Sequence, residues 1–357
     1  MARGSSCRKN PQMHLVVRAG AAHTRRTFLV NSGRAMLIGA GLAAGIGRSH
    51  RVGAASQVTI GLVSIPCYAP VFAALAQGFF SEEGLETSVV EVANVGLIVG
   101  GVTSGAMDSG LSTVWNVVPP RLTAEYALGD VVITAPLQRG CLALVVPPDS
   151  VVHSLADLRG KKVAGTKYLY GTALTDAGLN PDTDIVWSAG PAATDVLAML
   201  QSGTFEAVQT ADGYGALLEV TGQARMVAMN NMPPSENNFC CACIMMGNTV
   251  ELDKPRAAAI TRAMMRGSAW AEENRSETAE LMRYSMTTPR GRDLSQQDMK
   301  AALAMQAFVP MAEAARPMLV DEFAQYIAYG LPVDNFTDAT DLVNRIFVPV
   351  TDELAAT

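Results

Sequence analysis

Two continuous apolar runs, Cys141–Val146 and Phe239–Met246, constrain this chain more than any other feature. A short apolar run bounded by turn residues reads as a strand buried on both faces. Between the two lie about 90 residues with a strand–helix alternation of their own. Strands are expected at Lys162–Gly165, Ile185–Ser188 and Ala207–Thr210, and helices at Thr172–Ala177, Thr194–Gln201 and Ala216–Thr221. A segment of this size, entered and left through buried strands, reads as a second lobe inserted into a first. The flanking chain alternates in the same way: strands at Val58–Val63, Glu86–Val92 and Met107–Leu111, and helices through Val71, Phe72, Leu75 and Phe79 and over Leu97–Thr103. This pattern predicts an α/β fold with largely parallel sheets. Helices are expected at Arg256–Asn274, with Pro255 near the start, and at Glu277–Met286; those from Gln296 onward are expected to pack on the first lobe. The division expected is residues 56–142 and 243–357 in lobe one and 143–242 in lobe two.

Charge separates residues 1–55 from the rest. They hold nine of the 27 Lys and Arg and no Asp or Glu, leaving 18 basic residues against all 33 acidic ones beyond. An acidic body argues against nucleic acid, whose binding rests on neutralising phosphates. Thr24-Arg25-Arg26-Thr27-Phe28-Leu29-Val30 matches a twin-arginine consensus, and Ala35–Ile46 is a Gly-rich apolar run too short to span a bilayer. Gly53-Ala54-Ala55 offers small residues for cleavage. The expectation is a twin-arginine signal peptide over 1–55 and a periplasmic mature protein.

Several segments together resemble the nitrate/sulfonate/taurine-type solute-binding proteins of ABC transporters, whose relatives include binders of the thiamine pyrimidine precursor. Val71 to Phe80 followed by Glu83-Gly84-Leu85-Glu86 is similar to that family's "A-x-x-x-G-x-F-x-x-E-G-L" stretch. Ser104-Gly105-Ala106-Met107-Asp108 is similar to its "S-G-x-x-D" turn, and Leu155 to Ala164 to its "L-x-D-L-x-G-K-x-V-A" opening of lobe two. Leu197–Gly203 with Glu206-Ala207 resembles "L-x-x-G-x-x-D-A", with Glu in place of Asp. The resemblance covers nearly all of residues 57–350. It implies a type II periplasmic-binding-protein fold, two α/β lobes joined by two crossing strands, with a small solute in the cleft between them. It further implies permease and ATPase partners, with contact to the membrane only through the permease, and a monomer without a cofactor. A sulfonate- or taurine-like anion or zwitterion is the expected solute; a thiamine-pyrimidine precursor or other heterocycle is the alternative.

Physical chemistry places the ligand at the carboxyl ends of strands, where backbone N–H groups at helix N-termini are unpaired. Four stretches are expected there: Ser64, Pro66, Cys67 and Tyr68; Ser112, Thr113 and Trp115; Thr166, Lys167, Tyr168 and Tyr170; and Asp212 with Tyr214. Asn238, at the entry to the second apolar run, completes the set. Hydroxyls of Ser64, Ser112, Thr113 and Thr166 suit an oxyanion, and Tyr68, Trp115, Tyr168, Tyr170 and Tyr214 suit an apolar body. Each residue has a plainer reading. The hydroxyls also serve as helix N-caps, Trp115 and Tyr170 as core, and Lys167 as an exposed loop cation. Asp212 either meets a ligand N–H donor or faces solvent.

Cys240-Cys241-Ala242-Cys243 loosely resembles the cysteine cluster of the fungal thiamine-pyrimidine synthases. With nearby methionines it suggests an alternative, a Cys/Met metal-binding protein on the same fold, with Cys240, Cys241 and Cys243 as ligands. The plainer reading is buried cysteines, one pair in a disulfide. Catalysis on this fold is the other rival. Only His153 lies beyond residue 55, and the chain holds no nucleophile elbow, P-loop or "H-E-x-x-H", so an enzyme is not expected.

Overall fold

The computed structural model describes residues 17–18, 56–118, 131–140, 142–190, 195–210, 213–285, 294–309, 315–333 and 336–351. The twin-arginine reading and the residues Cys141 and Asp212 therefore lie outside the described residues, apart from the two-residue strand at 17–18.

Thirteen strands are described: β1 (Val17–Arg18), β2 (Ser56–Leu62), β3 (Leu85–Glu91), β4 (Ser109–Thr113), β5 (Val131–Pro136), β6 (Gln138–Arg139), β7 (Ala143–Val146), β8 (Lys161–Ala164), β9 (Ile185–Ser188), β10 (Ala207–Thr210), β11 (Arg225–Met229), β12 (Cys241–Met246) and β13 (Ala307–Phe308). They form a six-stranded sheet ordered β1-β3-β2-β4-β12-β5, a five-stranded sheet ordered β11-β7-β10-β8-β9, and the small pair β13-β6. Neither large sheet is wholly parallel. In the first, β12 runs against both β4 and β5; in the second, β7 runs against both β10 and β11. The physical reason is the connection between sheets. Every parallel neighbour is reached through a helical crossover, whereas β7 and β12 each enter from the other sheet and so arrive at the opposite end. The two passages run through Leu137–Gly140 and Asn238–Cys241, joined where Cys240 N donates to Gln138 O at 2.8 Å and Leu137 N donates to Cys241 O at 2.9 Å.

The helices are α1 (Ala69–Gln77), α2 (Phe79–Glu82), α3 (Val95–Thr103), α4 (Lys167–Asp176), α5 (Val196–Gln201), α6 (Tyr214–Val220), α7 (Gly247–Leu252), α8 (Lys254–Glu273), α9 (Arg275–Ser285), α10 (Gln296–Ala304), α11 (Ala315–Ala328) and α12 (Ala339–Ile346). Helix α8 shows why sequence reading works where periodicity is strong. Ile260, Ala263, Met264, Gly267 and Ala271 bury one face, Asp253 caps the N-terminus by accepting from Arg256 N, and Pro255 sits in the first turn.

Two expectations need correction. Residues Lys167–Gly171 are the opening turns of α4, not a loop before a helix at Thr172. Tyr170 and Leu174, four apart and both buried, anchor that helix, and the polar residues between them masked its start. The C-terminal helices also do more than cover the first sheet. Helix α10 packs on α6 and α11 on α4, so both reach the second sheet's side. At α11 the contact is close: Gln325 Oε1 accepts from Thr172 Oγ1 at 3.3 Å and from Ser235 Oγ at 3.2 Å, and the Tyr329 hydroxyl lies 2.9 Å from Thr175 Oγ1. The Tyr329 ring rests directly on Gly171, where a Cβ would fall 2.1 Å from its Cγ.

Candidate functional site

The loop after β2 and the end of β4 lie side by side on the first sheet. Ser64 is buried and donates to Glu91 Oε1 at 2.7 Å. Pro66, Cys67 and Tyr68 form a short buried 3-10 turn. Tyr68 is fully buried and its hydroxyl donates to Leu111 O, so it holds the loop to β4 rather than presenting itself between the sheets. Ser112 and Thr113 behave differently. Both are buried at the end of β4, and neither Ser112 Oγ nor Thr113 Oγ1 has a hydrogen-bond partner. Thr113 occupies the cap position of the 3-10 turn Val114–Val117 but makes no side-chain cap bond. The helix-cap reading of these two hydroxyls is thereby set aside.

On the second sheet, Thr166 is the N-cap of α4, also without a side-chain cap bond, while its backbone N–H donates to Gln209 Oε1 at 2.8 Å. Lys167 is paired with Asp182, whose side chain is 65% exposed, so this cation is engaged at the surface. Tyr170 is buried with an unpartnered hydroxyl, and burial pushes its phenol up. Thr210, at the end of β10, is fully buried with Oγ1 unpartnered. Tyr214 opens α6 and is half-buried.

The aromatic residues converge on one that sequence reading missed. Tyr326 of α11 meets Trp115 edge-on at 6.0 Å, Tyr168 at 5.7 Å and Phe323 at 5.9 Å between ring centroids. Trp115 and Tyr168 thus pack on α11 from the two sheets, as an aromatic bridge, and burial raises the Tyr168 phenol to about 12. The Tyr326 hydroxyl donates to Glu322 Oε1 at 2.6 Å and is also hydrogen-bonded to Asn238. Glu322 is fully buried, and its Oε2 accepts from Phe239 N at 2.8 Å. Burial outweighs these two hydrogen bonds and the nearby Arg139, so the carboxyl is pushed up to about 8 and is mostly neutral at pH 7. Arg139 lies with its guanidinium 5.4 Å from the Phe239 ring centre, and its Nε is buried without a partner.

Gln138 and Gln306 were also missed. Both are buried, and Gln138 Nε2 donates to Gly140 O at 3.0 Å and to Gln306 Oε1 at 3.1 Å. The Gln306 amide sits where the two sheets meet. A Cβ added to Gly213, at the start of α6, would fall 2.1 Å from Gln306 Nε2 and 3.2 Å from Pro66 Cβ. Gly213 is needed there twice over, since its φ of +76° also favours glycine. A sequence signal existed for Glu322. It shares the buried stripe of Leu319, Phe323 and Tyr326, where an acid at helical spacing marks a buried titratable group. Single glutamines beside strands give no comparable signal.

The cysteines do not form the three-thiolate set. Cys240 is disulfide-bonded, which removes its sulfur as a thiolate ligand. Cys67, Cys241 and Cys243 are buried thiols, and burial, the larger effect at Cys243, raises that thiol despite Ser109 beside it. Among the described residues no group of three or more His, Cys, Asp or Glu is placed to hold a metal ion. Among the described residues, also, no helix is long and apolar enough to cross a membrane.

The sequence matches the family model described as "NMT1/THI5 like" over residues 65–278, more than half of the chain. The chain belongs to the NMT1/THI5-like family. Its fold is that of the periplasmic binding proteins, two α/β lobes joined by two crossing strands, as three solved structures show. The alkanesulfonate-binding protein SsuA of Xanthomonas axonopodis pv. citri, bound to MOPS, superposes with a TM-score of 0.59 at 17% identity, over 77% of this chain and 94% of that one. The periplasmic nitrate-binding protein NrtA of Synechocystis PCC 6803 gives 0.63 at 15% identity, over 82% and 86%. The desulfurization enzyme DszB gives 0.57 at 16%, over 84% and 98%. A sequence search of curated proteins finds no match.

Proposed function

We propose that this NMT1/THI5-like protein is a periplasmic solute-binding component of an ABC importer, which holds a small organic anion or zwitterion between its two sheets. The observation that carries the reading is the set of buried, unpartnered hydroxyls at strand ends: Ser112 and Thr113 on β4 and Thr210 on β10. A buried polar group without a partner costs about 1–3 kcal/mol, a cost that a bound oxyanion removes by accepting from each hydroxyl. Neutral donors suit a sulfonate, a taurine-like zwitterion or nitrate, because they satisfy oxygen lone pairs without a buried counter-charge. The sulfonate- and nitrate-binding neighbours support that choice of solute class.

On this reading residues 56–142 and 243–357 form one lobe and 143–242 the other, and closure turns on the two passages. The leader at 1–55 is a twin-arginine signal, and the permease and ATPase are separate chains. Receptor rather than enzyme is favoured because the buried carboxyl of Glu322 is taken up by Tyr326 and Phe239 N. DszB shares the fold, so the site and not the architecture decides. Calorimetric titration with ethanesulfonate, taurine and nitrate tests the proposal. Saturable binding of one of them, weakened in Ser112→Ala, is expected; no binding by any, with the protein folded, overturns it.

A further inference from the structure

The Gln138–Gln306 pair lies at the meeting point of the two sheets, and its hydrogen bonds fix which way each amide faces. Gly140 O can only accept, so the Gln138 atom facing it is the Nε2 donor. That same Nε2 contacts Gln306, whose facing atom must therefore be the acceptor Oε1. Two atoms remain, the Gln138 Oε1 acceptor and the Gln306 Nε2 donor, and both are buried without a hydrogen-bond partner. Gln306 Nε2 lies against Gly213, at the start of α6 after β10, and Pro66, in the loop after β2, lies against the same glycine. These are the strand-end loops of the two sheets, the position where α/β folds take ligand.

The hydroxyls of Ser112, Thr113 and Thr210 can turn to donate or to accept, and so satisfy any oxygen-rich group. The glutamine pair cannot. It presents one fixed donor and one fixed acceptor, joined through a hydrogen bond of 3.1 Å and anchored by Gly140. A sulfonate or nitrate has acceptors only and would satisfy Gln306 Nε2 while leaving Gln138 Oε1 unmatched. A carboxamide satisfies both, its carbonyl accepting from Gln306 Nε2 and its N–H donating to Gln138 Oε1.

We propose that Gln138 and Gln306 are specificity-determining residues that recognise a carboxamide on the solute, so that the cargo is an amide-bearing small molecule rather than a simple sulfonate. This rests on the receptor reading above and narrows its substrate class. Sites that hydrogen-bond a ligand group reject analogues lacking it more strongly than apolar pockets do, because their own polar groups are left unpaired.

The test compares three probes by calorimetric titration: N-methyltaurine, its amide-bearing analogue N-(2-acetamido)-2-aminoethanesulfonate (ACES), and neutral succinamide. The expected result is affinity for ACES at least about tenfold above that for N-methyltaurine. In Gln306→Glu, which still accepts from Gln138 but lacks the donor, the ratio of ACES to N-methyltaurine affinity falls to about one, whatever happens to the absolute affinity of either. Gln306→Met, checked for unchanged thermal unfolding, should give the same loss. Equal affinities, or an advantage that survives both variants, overturn the carboxamide assignment and leave the sulfonate receptor standing. Binding of succinamide without either sulfonate supports the carboxamide assignment and overturns the anion reading. No binding by any of the three overturns both.

Discussion

Two polar regions meet where the sheets join, and they differ in how completely their groups are satisfied. Around Tyr326 the hydroxyl and carboxyl groups are engaged, with Arg139 Nε the exception: the Tyr326 hydroxyl serves Glu322 and Asn238, Glu322 accepts from Phe239 N, and Trp115 and Tyr168 close over the ring. A few residues away, Ser112, Thr113, Thr210, Gln138 and Gln306 are equally buried, yet each leaves a side-chain atom without a partner. Satisfied buried networks rigidify a fold, whereas unsatisfied ones cost stability and persist where function uses them. The first region is therefore the joint that ties α11 to both sheets, and the second is where we propose that a solute is recognised.

Substitutions should separate the two. The largest effect is expected for Tyr326→Ala, which removes a fully buried ring in contact with three others and should cost about 3–5 kcal/mol in denaturant unfolding. A loss under 1 kcal/mol would show that the aromatic bridge is not structural. Next is the pH dependence held by Glu322. Its folded value, about 8, is above that of an unfolded glutamate, so its contribution is fully present below about pH 4.5 and is lost as pH rises through 8. Wild-type stability should fall across that window by on the order of 4–5 kcal/mol more than that of Glu322→Gln. Parallel curves would place the ionisation elsewhere.

Smaller effects belong to the second region and should appear in binding, not folding. Ser112→Ala and Thr210→Val each remove a buried unpartnered hydroxyl, so stability should not fall, and should rise by up to about 1–3 kcal/mol, while ethanesulfonate affinity falls about tenfold. Stability losses without a change in affinity would make them core residues. Smallest of all is Lys167→Ala, expected to shift stability by less than about 0.5 kcal/mol, because its partner Asp182 is largely in solvent. A clear loss of solute affinity in that variant would restore Lys167 to the site.

The two sheets and the passages between them were legible because buried strands and helices leave periodic signatures, as at α8 and at the two apolar runs. The place of Ser112 and Thr113 at a strand end was legible for the same reason, since that strand is wholly buried. Tyr68 and Lys167 were misjudged because a loop position says nothing of where a side chain finds its partner. Gln138, Gln306 and Tyr326 come from passages and a helix distant in sequence, and only the crossing of the sheets brings them together. The start of α4 was lost because Thr166, Lys167 and Thr172 dilute the apolar spacing that Tyr170 and Leu174 carry.

The most direct test of the claim that the unpartnered groups hold a solute is thermal unfolding of the purified protein against ethanesulfonate, taurine, nitrate and ACES, with copper, zinc and iron salts beside them. A probe at 100 times its dissociation constant adds about 2.7 kcal/mol. The account predicts such a shift with an organic probe, insensitive to chelator and reduced in the Ser112→Ala, Thr210→Val double variant. A shift with metal alone, or one unchanged in the double variant, would contradict it.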